Sequence, residues 1–189
     1  MKKPVRLIVI GGSAGSLQVV LKILGYLKSS YSIPILLVLH RNVQYDSSLQ
    51  ELLVLKTTLN AKEVEEKDPI KPGYVYFCPA DYHVLVENDF SFSLDDSEKV
   101  NFSRPSIDVV FRSAADILGD QLLCVLLSGA NSDGAAGLKQ VKEKGGITVV
   151  QDPQEAQVPF MPQQALRTMQ ADYVLDSNQI AGLLNSLDL

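Results

Sequence analysis

Three side-chain types that together perform acyl transfer stand in this chain at the ends of apolar runs: Ser13, His40 and Asp133. Ser13 lies in Gly11-Gly12-Ser13-Ala14-Gly15, a G-x-S-x-G turn that directly follows VRLIVI (5–10) and leads into a helical pattern. Small residues flanking such a serine let the backbone bend sharply and push the hydroxyl out of the fold. A hydroxyl attacks a carbonyl only when an imidazole within hydrogen-bond reach takes its proton and a carboxylate orients that ring. His40 follows PILLVL (34–39), and Asp133 lies in SGANSDG (128–134), just past QLLCVLLS (121–128). In an open parallel sheet, ligands bind outside the carboxyl ends of the strands, near a switch in strand order, and all three residues fall on that edge.

Each residue also has a plainer reading. A glycine-rich turn after a first strand can hold an anion at a helix N-terminus, but a dinucleotide fingerprint needs glycine where Ser13 stands, and a P-loop needs a Lys-Ser/Thr pair that is missing. Ser13 or Ser16 could instead cap the following helix, His40 could bond the next loop, and Asp133 could make a turn. The chain has two histidines, and His83, at the start of a hairpin strand, reads as structural. Their shared edge favours the triad over these separate roles.

The elements that must position these residues alternate between strand and helix, the mark of a doubly wound α/β sheet with helices on both faces. VRLIVI and PILLVL read as strands buried on both sides. Leu17 to Leu27 carries apolar residues at helical spacing, and Ser48 and Glu51 are spaced as a capping box for a helix starting near Asp46. The middle departs from the alternation: YVYFC (74–78) is a strand, and His83–Glu87 with Phe90–Leu94 forms an antiparallel hairpin turning at Asn88-Asp89. A helix over 106–118, the strand QLLCVLLS, a helix over 134–144 stopped by Gly145-Gly146, and the strand ITVVQ (147–151) restore it. Pro162 is placed to open a further helix, Tyr173–Leu175 is a short strand, and Ser177 is expected to cap the last helix. The sheet is therefore mostly parallel, with one antiparallel excursion, and residues 1–189 read as one domain.

Composition narrows the class of function. The 189 residues carry a net charge of -5 without a basic block, which argues against nucleic acid and anionic membrane surfaces. Cys78 and Cys124 lie far apart in apolar runs and read as buried thiols, not as a metal site or a disulfide. The N-terminal apolar run is too short for a signal segment, so a cytoplasmic location without membrane insertion is expected. No cofactor is implied.

Several motifs in one order then resemble a known family. IGGSAGS (10–16), the strand ending at His40, PGYVYFCPADYH (72–83), RPSIDVVF (104–111), LLSGANSDGAAGL (126–138) and QDPQEAQVPFMPQQAL (151–166) are similar to the catalytic domain of the chemotaxis protein-glutamate methylesterases, the CheB family, over nearly the whole chain. The resemblance implies Ser13 as nucleophile, His40 as base and Asp133 as orienting acid, in an order distinct from that of α/β-hydrolases. It implies hydrolysis of γ-glutamyl methyl esters on cytoplasmic helices of chemoreceptors, with glutamine deamidation in some members. Backbone N–H groups near Ala14 and in the Gly129, Ala130, Asn131 loop are the candidate oxyanion donors.

The chain departs from the family pattern at Ala14 for threonine, Ser16 for glycine, Ala130 for methionine, Ser132 for asparagine, Ser103 for histidine and Phe160 for glycine. These changes bear on substrate positioning and rate more than on the triad. Arg104 is a candidate substrate contact or a surface arginine, and Pro159 to Pro162 either lines the cleft or packs on the core. Family members usually carry an N-terminal receiver domain, for which a first strand beginning at residue 5 leaves no room. A non-catalytic partner-binding module of the same fold is the alternative reading, and an anion-binding flavodoxin-like domain is a distant third.

Overall fold

A strand that is apolar at every position is stable only when both its faces are covered, and the first strand sets that rule for the molecule. The computed structural model describes residues 3–40 and 46–188. All six residues of β1 (Leu7–Gly12) are buried, as are all five of β2 (Ile35–Leu39) and β7 (Leu122–Leu126). With β3 (Asn60–Glu63), β4 (Tyr74–Phe77), β8 (Ile147–Gln151) and β9 (Tyr173–Leu175) they form a seven-stranded sheet in the order β3-β4-β2-β1-β7-β8-β9. Every neighbouring pair is parallel. β5 (His83–Val86) and β6 (Phe92–Asp95) pair antiparallel as a separate ribbon, the expected hairpin.

Alternate residues of each strand point to opposite faces and so feed two cores. Leu7, Val9, Leu36, Val38, Cys124 and Leu126 pack with α3 (Ile107–Leu118), α4 (Ala135–Glu143), α5 (Phe160–Thr168) and the hairpin. Ile8, Ile10, Leu37, Val125 and Leu127 pack with α1 (Ser16–Tyr26), α2 (Asp46–Lys56) and α6 (Ser177–Leu187). Both cysteines are buried and outside any disulfide, as their apolar surroundings imply.

Four details differ from the sequence reading. β3 is a polar edge strand, NAKE, with no fully buried residue, so neither alternation nor an apolar run marks it. α5 begins at Phe160, which places Pro162 within the first turn, where a missing N–H costs no helical bond. The cap of α6 is Asp176, in a capping box with Gln179, and Ser177 is already helical with its hydroxyl on Glu155. Ser48 is the third residue of α2 and so cannot be its N-cap, and residues 41–45, where that helix is entered, lie outside the described residues.

The chain winds outward from β1 in both directions, through β2 on one side and β7 on the other, so the switch in strand order falls between β1 and β7. Ser13 leaves the carboxyl end of β1, and Ser128 to Asp133 leave that of β7.

Candidate active site

The site is assembled first by backbone register. Gly12 pairs with Leu39, so the next residues of the two strands, Ser13 and His40, emerge side by side. His40 N–H donates to the Gly12 carbonyl at 3.2 Å, and Ser13 N–H donates to the Ser128 carbonyl at 2.9 Å, tying the ends of β2, β1 and β7 into one rim. The Ser13 carbonyl accepts from Ser16 N–H at 3.0 Å and from the Ser16 hydroxyl at 2.6 Å. Neither serine caps α1, whose N-cap is Gly15 with no side-chain bond. Among the described residues the Ser13 hydroxyl has no hydrogen-bond partner, so it is left uncommitted at the mouth of the rim.

The strain of this turn sits at Gly15, not at the serine. Gly15 has φ +79, and a Cβ there would stand 2.8 Å from the Ser128 hydroxyl and from Gln157. Ser13 is absent from the residues with positive φ. Gly129 is required for a different reason: a Cβ on it would collide with the Met161 side chain and lie 3.1 Å from Ser13 Cβ. Met161 is buried against this glycine while Phe160 is nearly half exposed, so the 159–162 segment divides between core and surface.

His40 and Asp133 meet directly. His40 Nε2 lies 2.7 Å from Asp133 Oδ2, the imidazole 13% exposed and the carboxylate fully buried. With Nε2–H donated to the carboxylate, Nδ1, which has no partner among the described residues, is the nitrogen left to accept a proton. This reverses the use of the two ring nitrogens in the trypsin-like triad, where Nδ1 faces the aspartate.

A buried carboxylate needs other donors than water, and Asp133 has five among the described residues. Oδ2 also accepts from Ile107 N–H at 2.7 Å. Oδ1 accepts from Asp108 N–H at 3.0 Å, the Ser106 hydroxyl at 2.8 Å and Asn101 Nδ2 at 2.9 Å. The charge therefore sits on the N-terminus of α3, where orphan amides and the helix dipole both favour an anion. Burial pushes the Asp133 carboxyl up, but the bonds from His40, Asp108 N–H, Asn101 and Ile107 N–H outweigh it and hold the group below its ordinary value.

Asp108 repays the contact in mirror image. Its Oδ1 accepts from Gly134 N–H at 3.1 Å and Gly137 N–H at 2.5 Å, at the start of α4, whose N-cap Gly134 follows Asp133. Each of the two helices thus receives a carboxylate from the other's first turn or threshold. Burial pushes the Asp108 carboxyl up, Gly137 N–H opposes this, and the Asp133 charge adds to the rise.

The remaining expected residues divide. Ala14 and Ala130 N–H have no partner among the described residues and stay available as oxyanion donors, whereas Gly129 N–H is taken by the Val158 carbonyl at 3.0 Å, which removes that amide from the set. The Arg104 guanidinium is committed within the protein, donating to the Asp96 and Ser97 carbonyls at 2.7 and 2.8 Å and to Asp81 at 3.0 Å. His83 is fully buried; its Nδ1 accepts from Ser106 N–H at 3.1 Å and its Nε2 pairs with the Glu98 carbonyl at 3.0 Å. Beside His40 a pocket of about 140 Å³ is lined by His40, Lys99, Phe102, Ser103, Arg104 and Pro105.

Sequence reasoning missed a second layer. The Ser128 hydroxyl bonds the Ala14 carbonyl at 2.7 Å and accepts from Val158 N–H at 2.9 Å, while Gln151, buried at the end of β8, accepts from Ser128 N–H at 2.9 Å. These bonds fix the Ala14–Gly15 peptide beyond Ser13. A buried Gln ending an apolar strand was the one available signal.

A doubly wound parallel domain with serine, histidine and aspartate gathered at its topological switch has the layout of a serine-type hydrolase. Residues 8–184 match the family model described as CheB methylesterase. The chain belongs to that family. It is 46% identical over 181 residues to a Leptospira interrogans protein whose name proposes protein-glutamate methylesterase and protein-glutamine glutaminase activities, covering 96% of this chain and 94% of that one. To a Methanospirillum hungatei protein named protein-glutamate methylesterase/protein-glutamine glutaminase 2 it is 36% identical, spanning 97% of this chain but 52% of the relative. The crystal structure of the Thermotoga maritima CheB methylesterase catalytic domain superposes with a TM-score of 0.92 at 32% identity, covering 98% of this chain and all of the other. Among the described residues no helix is long and apolar enough to cross a membrane.

Proposed function

We propose that residues 1–189 act as a carboxylic ester hydrolase that demethylates γ-glutamyl methyl esters on the cytoplasmic helices of chemoreceptors, releasing methanol. The observation that carries this reading is the His40–Asp133 pair, 2.7 Å apart, on the rim where β1 presents Ser13. In this mechanism the Ser13 oxygen attacks the ester carbonyl as its proton passes to His40 Nδ1. The oxyanion forms against Ala14 and Ala130 N–H, each donor contributing about 3 kcal/mol to the barrier reduction. Collapse of the tetrahedral centre breaks the C–OCH3 bond, and His40 returns the proton to departing methanol. Water, deprotonated by the same imidazole, then hydrolyses the acyl-enzyme to a glutamate carboxylate and free Ser13. A glutamine side chain follows the same route with ammonia as leaving group, which accounts for deamidation as a second activity. No step calls for a metal or cofactor. The substrate places the protein in the cytoplasm, with receptor helices as its partners.

A fluorophosphonate probe followed by peptide mass mapping tests the nucleophile. Labelling at Ser13 that disappears in Ser13→Ala and His40→Ala is the expected result, with methanol release from methylated receptor helices confirming the substrate class. A folded protein that is not labelled would instead favour a partner-binding module, the role that Ala14 and Ser16 beside the nucleophile leave open.

A further inference from the structure

Two buried carboxylates, Asp133 and Asp108, stand at the adjoining starts of α3 and α4, and one neutral side chain touches both. Asn101 Nδ2 donates to Asp133 Oδ1 at 2.9 Å and to Asp108 Oδ2 at 2.8 Å. The amide thus commits both of its hydrogens to two like charges that water does not reach. Asn101 gets there from a tight turn in which Val100 and Ser103 exchange backbone bonds of 3.2 and 3.0 Å. Both central residues are left-handed, Asn101 at φ 53 and Phe102 at φ 61, although neither is glycine. Such backbone persists only where its surroundings over-determine it. The outer residue, Phe102, is 99% exposed and lines the pocket beside His40.

We propose that Asn101 is a positioning residue for the reaction, holding Asp133 ionised and aimed at His40 by bridging it to Asp108 and offsetting their repulsion. The proposal rests on the reading of Ser13, His40 and Asp133 as a triad. The titratable groups facing Asp133 are His40 from the end of β2 and Asp108 from α3. Arg112 lies beyond Asp108, and His83 of β5 is separated from Asp133 by Ser106. Removing the Asn101 donor makes the carboxylate hold a proton more tightly, whether on itself or shared with His40, so the acidic limb of activity moves to higher pH. Neutralising Asp108 removes a like charge and moves that limb back down.

The test is the pH dependence of fluorophosphonate acylation of Ser13. Asn101→Gly deletes the amide while keeping a residue that accepts positive φ. The limb is expected to rise by about one pH unit in Asn101→Gly, the size of one charge-assisted hydrogen bond, and to return toward the parent value in Asn101→Gly/Asp108→Asn. A limb that stays put in Asn101→Gly, or that Asp108→Asn fails to restore, overturns the proposal. If Asn101→Gly does not fold, comparing Asp108→Asn with the double variant decides: the bond to Asp133 remains in Asp108→Asn, so deleting the amide there is expected to raise the limb as well, and an unmoved limb refutes the proposal. A parent protein that is not labelled at Ser13 refutes the triad itself, a distinct outcome.

Discussion

His40 and His83 are the only two imidazoles of the chain, and they occupy opposite kinds of surroundings. His83 has both ring nitrogens satisfied by backbone, Ser106 N–H on one side and the Glu98 carbonyl on the other, and no exposed surface. Among the described residues, His40 has one nitrogen on a carboxylate and no partner on the other. An imidazole whose valences are filled by peptide groups can only hold structure, while one with a single committed nitrogen can shuttle a proton. The two are joined through Ser106, which donates its N–H to His83 and its hydroxyl to Asp133. The same helix start is thus gripped by a structural histidine and feeds a candidate catalytic one.

The sharpest way to break the contrast is to delete each ring. His40→Gln, which removes the ring but keeps an amide donor for buried Asp133, is expected to slow acylation of Ser13 by about 10³-fold or more with little change in thermal midpoint, measured by probe labelling and by calorimetry. His83→Ala is expected to do the reverse, costing about 2 kcal/mol or more of stability from a cavity and an unpaired Ser106 N–H, with the folded fraction still labelled. Equal stability losses in the two variants would erase the distinction.

Acid denaturation separates the two carboxylates in the same way. Asp133 is held below its ordinary value, so its stabilisation is present above the unfolded carboxylate value, about 3.9, and lost as pH falls through its lower folded value. Asp108 is raised, so it destabilises the neutral-pH protein and this cost is relieved as pH falls. Asp108→Asn should therefore make stability fall more steeply between roughly pH 5 and 3, as read from urea midpoints, and a shallower slope would reverse the assignment. The smallest expected effect is that of Arg104→Ala: a loss of about 1–2 kcal/mol from the three groups it pins, with the methyl ester KM unchanged within about two-fold. A large rise in KM would return Arg104 to the substrate site.

The rim residues and the alternating fold were legible in the sequence because strongly apolar strands announce their own ends, and the rim residues are those that follow. Ser13, His40 and Asp133 could be placed on one edge without any distance. What the sequence concealed is polar and cross-chain. β3 carries no apolar signal, since only its contact with β4 makes NAKE a strand. Asn101 sits in VNFS, which lacks the glycine that normally advertises a left-handed turn. Asp108 looks like an ordinary acidic residue in a first turn until Gly134 and Gly137, 26 and 29 residues later, point their amides at it. Gly129 seemed an oxyanion donor because a glycine loop suggests free amides, and only the fold shows Val158 occupying it.

The five bonds converging on Asp133 carry a consequence for reading relatives of this chain. On the proposed mechanism Asp133 both orients a base and anchors the start of a helix, so two independent selections retain it, and loss of catalysis lifts only one of them. A descendant that had surrendered its serine and drifted into a scaffold would still need an anion beneath Ile107 and Asp108. The aspartate is therefore a poor diagnostic of activity across the lineage, and the serine, whose side chain holds no helix among the described residues, is the residue whose decay would record a dead enzyme.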